Sequence, residues 1–247
     1  MGSVARALIN AAWGVYALLV IVTISLITTL LVAIMPGLGT RRRIARAGSR
    51  LIFAASGMGL RVTGLATLPD ACVVVANHAS YLDGVVLTAV LPPSFSFVIK
   101  REVKSVPVLH LLLRRLGSEF VERFDRHRGA TDARRIMRKA HGGEALIFFP
   151  EGTFRAEPGL MRFRTGAFAA AARADLPVVP VVIKGARRIL PAACWLPRRG
   201  DVEVIITPAL DLSAQGPRHK ARRLLSRSRE QMLQHLGEPD LAPVTAK

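Results

Sequence analysis

The chain has 247 residues, of which 51% are hydrophobic, and a formal net charge of +18. This length fits one domain of ordinary size with a short attachment, and the apolar content is sufficient for a sizeable core. The two cysteines, Cys72 and Cys194, share no close spacing, so the pattern supports neither a disulfide framework nor a zinc site and indicates a reduced, cytoplasmic compartment.

The N-terminal part of the chain combines basic residues with a long uncharged stretch. Residues 1–69 contain arginines but no acidic residue, and residues 7–40 carry no charge at all. At about 1.5 Å per residue, a helix over 11–35 is long enough to cross a hydrocarbon core of about 30 Å. Trp13 and Tyr16 lie near one end of this stretch and an arginine cluster lies at the other. This pattern predicts a membrane anchor with the rest of the chain on the cytoplasmic side.

Two alternatives to a spanning helix stay open. Gly14, Pro36 and Gly37 would permit a re-entrant hairpin that dips into one leaflet, and a buried core helix is the third possibility. Residues 42–58 follow as a predicted amphipathic helix whose arginines would reach anionic head groups on the membrane surface.

Beyond residue 69 the predicted strands and helices alternate. This order predicts a single α/β domain. The predicted strands cover 72–76, 95–99, 120–121, 145–149, 178–183 and 202–206, and the predicted helices cover 81–91, 107–116, 131–140, 163–174 and 218–236.

The first block that can carry chemistry is Asn-His-Ala-Ser-Tyr-Leu-Asp at 77–83, where a strand gives way to a helix. His78 and Asp83 can form a pair in which the carboxylate fixes the imidazole tautomer while the other ring nitrogen accepts a proton. Such a pair needs no serine if the substrate's own hydroxyl is the nucleophile. The alternative is a capping box, with Ser80 as N-cap and Asp83 three residues later.

Three further blocks follow. In Phe-Pro-Glu-Gly-Thr at 149–153, Glu151 can accept from a hydroxyl and Gly152 lets the backbone approach a ligand, although an ordinary turn has the same composition. Gly117 and Arg123 bracket a short strand, and the guanidinium fork suits a phosphate, although Arg123 can also be a surface residue. The block Leu-Pro-Val-Val-Pro-Val at 176–181 has no reactive group.

Together, and in this order, the four blocks resemble the 1-acyl-sn-glycerol-3-phosphate acyltransferase family. That family has a His-x4-Asp block, a Gly…Arg block, a Phe-Pro-Glu-Gly block and a Val-Pro block. The resemblance covers about 64–208. The matching residues are His78 and Asp83, then Gly117 and Arg123, then Phe149, Pro150, Glu151, Gly152 and Thr153, and finally Pro180.

The resemblance implies specific roles. His78 would be the general base and Asp83 would orient it. Arg123 and Glu151, with Gly152 and Thr153 beside them, would bind the phosphoglycerol head, and Lys100 after a predicted strand would add a phosphate contact. The acyl donor would be acyl-CoA or acyl-carrier protein, with no metal and no other cofactor.

One departure from the family bears on the acceptor. The family usually has arginine directly after Phe-Pro-Glu-Gly-Thr, whereas this chain has Phe154, and Arg155 follows one position later. The head-group assignment is therefore open in a way that the reaction type is not.

The resemblance and the residues together predict an enzyme with an α/β fold, a single mixed-sheet domain of the glycerolipid-acyltransferase type. Residues 1–58 would form the membrane anchor and basic interfacial helix, and 59–247 the catalytic domain, held at the cytoplasmic side of the inner membrane.

The acceptor would be a lysophospholipid, with 1-acyl-sn-glycerol-3-phosphate favoured. The alternatives are another lysolipid such as lyso-ornithine lipid, or a non-catalytic basic membrane-binding protein. The chain lacks a recognition motif for nucleic acid, so we predict no nucleic-acid partner.

Overall fold

A mixed sheet forms the centre of the protein in a computed structural model that describes residues 2–122, 126–211 and 217–242. Within these residues the sheet has the strand order β1-β7-β6-β2-β5-β3-β4. This confirms the predicted single mixed-sheet α/β domain. The strands are β1 Leu60–Thr63, β2 Val73–Ala76, β3 Ser96–Lys100, β4 Glu119–Val121, β5 Leu146–Phe148, β6 Val178–Lys184 and β7 Val202–Ile206.

The helices alternate with these strands from β2 onward. Short 3-10 helices at Leu65–Thr67 and Arg101–Ser105 complete the connections. The α-helices are α1 Gly2–Ile34, α2 Leu38–Ser56, α3 Asp83–Val90, α4 Pro107–Arg115, α5 Arg126–His141, α6 Gly166–Ala174, α7 Ala186–Ile189 and α8 Pro217–Leu236.

Most of the predicted elements are confirmed, and the differences have local causes. Helix α5 begins at Arg126 rather than at 131, and α6 begins at Gly166 rather than at 163. Strand β1 was not predicted because most of its residues are exposed at the edge of the sheet, so its sequence contains no apolar run. Helix α7 was not predicted because its four residues are too few to show a helical pattern.

Strand direction decides where side chains after the strands can meet. Strands β6, β2, β5, β3 and β4 are mutually parallel, whereas β7 runs antiparallel to β6 and β1 is parallel to β7. The carboxyl ends of β2, β5, β3 and β4 therefore lie along one edge of the sheet.

Both faces of the sheet are covered. In β2, Val74 points into a buried cluster with Leu87 of α3 on one face, while Val73 points into a second cluster with Phe168 of α6 and Leu224 of α8 on the other. All four residues of β2 are fully buried, as expected for a central strand of a parallel sheet with helices on both sides.

Helix α1 runs without a break from Gly2 to Ile34, and it is the one helix in the described residues that is long and apolar enough to cross a membrane. One side of it packs on the protein, where Gly14, Ala17 and Val32 are buried. The other side exposes apolar residues along its length, including Leu19 and Leu26. This exposure argues against the buried core helix.

Helix α2 is amphipathic as predicted, but three of the four arginines in the predicted range 42–58 face the protein. Arg50 donates to Ala89 O at 2.9 Å and Arg46 donates to Val90 O at 3.1 Å, both at the C-terminus of α3. Arg42 donates to backbone oxygens of the loop that follows. Cations are favoured at a helix C-terminus, where carbonyl groups lack partners. The prediction that α2 directs its arginines to lipid head groups is wrong for these three residues.

Helix α2 also contributes to the core of the domain. Ile52 and Phe53 belong to the same buried cluster as the sheet residues Val74 and Ile147. The boundary predicted at residue 58 stays a prediction, and α2 packs directly on the domain that follows it.

Candidate active site

The residues predicted to carry chemistry follow the carboxyl ends of neighbouring parallel strands. His78 comes after β2, Glu151 comes after β5, and Lys100 is the last residue of β3. This edge is where α/β proteins bind ligands. Arg123 follows β4, but it lies outside the described residues, so its role as a phosphate ligand stays a prediction.

The structure brings His78 and Asp83 together. His78 Nδ1 lies 2.8 Å from Asp83 Oδ2, and the Asp83 side chain is fully buried while 21% of the His78 side chain is exposed. The other ring nitrogen, Nε2, has no hydrogen bond to any residue within the described ranges. A buried carboxylate on Nδ1 therefore leaves Nε2 available to a substrate proton.

The predicted capping box is wrong in its register, because α3 begins at Asp83 with Leu82 as its N-cap, but Asp83 does close the turn before the helix. Asp83 Oδ2 also accepts the backbone N–H groups of Ala79 and Ser80, at 2.6 and 2.8 Å. Ser80 Oγ accepts Leu82 N–H at 3.1 Å and donates to Leu190 O at 2.7 Å. One carboxylate oxygen thus fixes both the turn before α3 and the imidazole, so each role depends on the same side chain.

Two phenyl rings hold the imidazole from its faces. Phe149 stacks on His78 with ring centres 4.2 Å apart and an interplanar angle of 21°. Phe154 lies 4.5 Å away at 48°. With Asp83 at the edge and these rings at the faces, the imidazole has little freedom to rotate.

Glu151 is buried and both of its carboxylate oxygens accept backbone bonds. His78 N–H donates to Oε1 at 2.7 Å and Met161 N–H donates to Oε2 at 2.8 Å. Burial raises the pKa of Glu151 to about 7, opposed by these two bonds and by the nearby Arg187. This geometry favours a role in positioning the His78 loop over the predicted direct contact with a substrate hydroxyl.

The other predicted ligands, Gly152, Thr153 and Lys100, differ from one another in burial and in their bonds. Gly152 has a φ of 78°, a left-handed conformation that favours glycine, and its N–H donates to Phe149 O at 3.0 Å. Thr153 is exposed. Lys100 is half-buried, and its Nζ makes no ion pair or hydrogen bond in the described part of the chain. The predicted ligand roles of Gly152, Thr153 and Lys100 stay predictions.

A cavity that is partly open to solvent lies between α2, α3 and the sheet. Phe97 lines it, and the Phe97 ring is 6.4 Å from that of Phe149, which in turn stacks on His78. Its other lining residues are mainly apolar, among them Leu87, Leu91, Phe95 and Ile147. The apolar lining of the cavity is thus separated from the imidazole by the Phe149 ring alone.

Comparison with known proteins places this geometry in a family. Residues 59–184 match the family model described as Acyltransferase, which spans the sheet from before β1 to the end of β6 and includes the His78–Asp83 pair. The chain belongs to the acyltransferase family.

Individual relatives refine the comparison. The chain is 34% identical over 149 residues to the 1-acyl-sn-glycerol-3-phosphate acyltransferase BAT2, chloroplastic, of Brassica napus, covering 59% of this chain and 43% of the relative. It is also 34% identical over 157 residues to the lyso-ornithine lipid O-acyltransferase of Rhizobium meliloti (strain 1021), covering 64% of this chain and 53% of the relative. The chain thus spans only about half the length of these relatives.

A solved structure supports the fold. The crystal structure of the 1-acyl-sn-glycerophosphate acyltransferase PlsC from Thermotoga maritima superimposes with a TM-score of 0.68 and 22% identity. The match covers 94% of this chain and 97% of that one, so it includes most of the N-terminal helices as well as the sheet.

Two residues near this site received no role from the sequence. Asn77 joins β2 to β6, since its Nδ2 donates to Ile183 O at 3.0 Å and its Oδ1 accepts Ile183 N–H at 2.7 Å. Arg187 binds both carboxylate oxygens of Glu238, at 3.0 and 2.9 Å, and donates to Glu157 O at 2.8 Å, which fixes the loop after Glu151. Asn77 stood inside the first block, whereas nothing local distinguished Arg187 from the many other arginines.

The titration of Glu151 predicts a pH-dependent stability. The folded protein keeps the Glu151 proton up to about pH 7, whereas the unfolded chain loses it near its ordinary pKa of 4.5. The free energy of unfolding should therefore fall as pH rises through this window, by on the order of 3 kcal/mol from this residue. Glu151→Gln cannot ionise and should remove this part of the pH dependence.

Thermal melting of the wild type and of Glu151→Gln at several pH values between about 5 and 8 tests this pH dependence. Gln places an N–H group against one of the two backbone donors, so the variant should also be less stable throughout. Glu230→Gln, at an exposed position on α8, is the matched control and should leave the wild-type pH dependence in place. Superimposable pH profiles for wild type and Glu151→Gln would contradict the assignment.

Proposed function

We propose that this protein transfers a fatty acyl group from an acyl thioester to the free hydroxyl of a lysophospholipid. The observation that carries the proposal is the buried Asp83 carboxylate on His78 Nδ1, with Nε2 left without a partner in the described residues. Membership of the acyltransferase family and the names of the relatives support the same reaction.

The proposed reaction uses His78 as general base. Nε2 accepts the proton of the acceptor hydroxyl as its oxygen attacks the thioester carbonyl carbon. The tetrahedral intermediate collapses, the carbon–sulfur bond breaks, and the thiolate takes the proton from the imidazolium. Asp83 stabilises the imidazolium between the two proton transfers. No metal ion or other cofactor is required for these steps.

We favour 1-acyl-sn-glycerol-3-phosphate as the acceptor, which would give phosphatidic acid. Relatives with this activity in their names support the choice, and Lys100 and Arg123 would provide the positive charge for the phosphate. The second candidate is a lyso-ornithine lipid, because a relative bearing that name matches at the same identity and because Phe154 replaces the arginine usual in the family.

The donor would be acyl-CoA or acyl-carrier protein. The cavity that Phe97 lines offers apolar surface for its acyl chain beyond the stacked rings of Phe149 and His78. Burial of a chain there is favourable by roughly 0.8 kcal/mol for each methylene group.

Membrane association would follow from α1. Its exposed apolar side extends from one end of the helix to the other, while its opposite side stays packed on the protein. A helix held to the domain along one side fits insertion into one leaflet, the re-entrant alternative, better than a free spanning helix. We propose that the catalytic domain lies at the cytoplasmic face of the inner membrane.

An acceptor panel tests the proposed function. Purified protein in detergent is given radiolabelled acyl-CoA or acyl-carrier protein with lysophosphatidic acid, lysophosphatidylcholine or lyso-ornithine lipid, and the products are separated. We expect phosphatidic acid to form with the highest kcat/KM. Product only from lyso-ornithine lipid would establish the second candidate, and no product from any acceptor with either donor would favour a non-catalytic membrane-binding protein.

The membrane prediction is tested without removing α1, because that helix packs on the domain. Replacing the exposed Leu19, Leu26 and Leu30 with serine should release most of the protein from anionic vesicles, since each buried leucine contributes about 1.5–3 kcal/mol. Co-sedimentation measures the bound fraction. Leu65→Ser with Leu241→Ser, two exposed positions outside α1, is the control and should stay bound. Equal binding of the two variants would contradict the role of α1.

A further inference from the structure

A row of aromatic side chains leads from His78 to the protein surface. Phe154 lies 4.5 Å from the imidazole, Tyr81 lies 4.8 Å from Phe154 in an edge-on contact, and Trp195 stacks on Tyr81 at 6.1 Å. Exposure rises along the row, reaching 51% for Tyr81 and 78% for Trp195. The row therefore connects the His78 imidazole with solvent through a continuous series of aromatic rings.

The outer end of this row adjoins α1. A Cβ atom on Gly14 would lie 2.7 Å from Leu196 Cγ and 2.8 Å from Pro197 O, so the loop that carries Trp195 packs tightly against the helix backbone. The Arg199 guanidinium lies 5.7 Å from the centre of the Trp13 ring, a second contact between this loop and α1. Trp195 is thus fixed beside the helix whose free side is apolar.

The chemistry of the row suits a lipid chain. Phe154 has no charge at the position where the family usually has arginine, so this side of His78 offers ring faces instead of a phosphate ligand. Tryptophan and tyrosine have an apolar body with one polar group, and they are enriched at membrane–water interfaces. The exposed Trp195 ring has most of its surface available to be covered by a chain.

We infer that Phe154, Tyr81 and Trp195 form the path by which the acceptor lysolipid passes from the bilayer to His78, with its acyl chain against the rings. The inference rests on the proposed function. The occupant is the acceptor's chain because the other ring that contacts the imidazole, Phe149, leads elsewhere, through Phe97 to the cavity between α2, α3 and the sheet. Trp195 then discriminates between acceptors with long and short chains.

Kinetics with two acceptors test this specificity. Long-chain lysophosphatidic acid in vesicles and a water-soluble hexanoyl analogue are compared, and the ratio of their kcat/KM values is determined. Trp195→Ala should lower the long-to-short ratio about tenfold, as expected for loss of a large aromatic contact. Trp195→Phe should restore part of the ratio. Val62→Ala, at the edge strand β1, is the control and should keep the wild-type ratio. An unchanged ratio in Trp195→Ala would overturn the inference.

Fluorescence separates failure of this inference from failure of the proposed function. The chain has two tryptophans, so Trp13→Phe leaves Trp195 as the only emitter. Adding long-chain lysolipid to protein already bound to vesicles should shift the emission to shorter wavelength. A shift on vesicles alone, with none on adding lysolipid, would overturn the inference even in an active enzyme. A lysolipid-dependent shift in a protein that transfers no acyl group would support the path and contradict the proposed reaction.

Discussion

Replacing His78 with alanine is expected to lower kcat for acyl transfer by about 10²–10⁴-fold, the usual contribution of a general base. The imidazole is the one group in the described site with a buried carboxylate on one nitrogen and no partner on the other. Without it, the acceptor hydroxyl has no nearby base to remove its proton during attack on the thioester.

The fold should survive this change. The bond from the residue 78 backbone N–H to Glu151 Oε1 does not need the side chain, and Asp83 keeps its bonds from Ala79 and Ser80. Loss of the ring between Phe149 and Phe154 leaves a gap near the surface, which should cost no more than about 1–2 kcal/mol of stability.

Single-turnover kinetics of His78→Ala with acyl-CoA and lysophosphatidic acid measure the effect on the chemical step, and circular dichroism confirms the fold. His141→Ala is the matched control, since that histidine is exposed at the end of α5 and should not affect turnover. Turnover of His78→Ala within a few-fold of wild type would exclude His78 as the base and would require another group at this edge of the sheet.

The strand-and-helix order and the His78–Asp83 pair could be predicted because their causes are local. The fully buried residues of β2 form a short β-branched run, and the block at 77–83 places both partners in one turn. A five-residue separation across a strand-to-helix junction allows few arrangements, so the sequence indicated the contact directly.

The surroundings of that pair could not be predicted because they join distant parts of the chain. The bond from His78 N–H to Glu151 spans 73 positions, and the Tyr81–Trp195 contact spans more than a hundred. Likewise, the apolar pattern of α2 indicated an amphipathic helix but could not show that Arg46 and Arg50 would face α3 rather than lipid. In each case the packing of distant elements decides the partner.

Replacing Asp83 with asparagine should lower kcat by at least tenfold and up to about 10⁴-fold, with a much smaller effect on stability. Asparagine keeps an oxygen that can occupy the place of Oδ2 and accept the backbone N–H groups of Ala79 and Ser80. Its amide nitrogen would take the place of Oδ1, a buried atom without a hydrogen-bond partner in the described residues. The turn before α3 can therefore form in the variant.

What asparagine cannot supply is the negative charge opposite the imidazolium. The bonds from Ala79 and Ser80 become neutral, which weakens each by about 1 kcal/mol, but the variant no longer buries a charge. These two effects oppose each other, so the melting temperature should change by only a few degrees. The effect on kcat has no such compensation, because the His78 imidazolium must form and then lose its proton in every turnover.

The comparison of rate and melting temperature decides between the two roles of Asp83. Asp201→Asn is the matched control, since Asp201 accepts Gly59 N–H at 3.2 Å near the far edge of the sheet and should affect stability alone. A wild-type rate with a lowered melting temperature in Asp83→Asn would mean that the carboxylate only closes the turn. A large fall in kcat with a nearly unchanged melting temperature would show that the charge of Asp83 serves the reaction. A residue that only closes the turn would affect the melting temperature and not kcat.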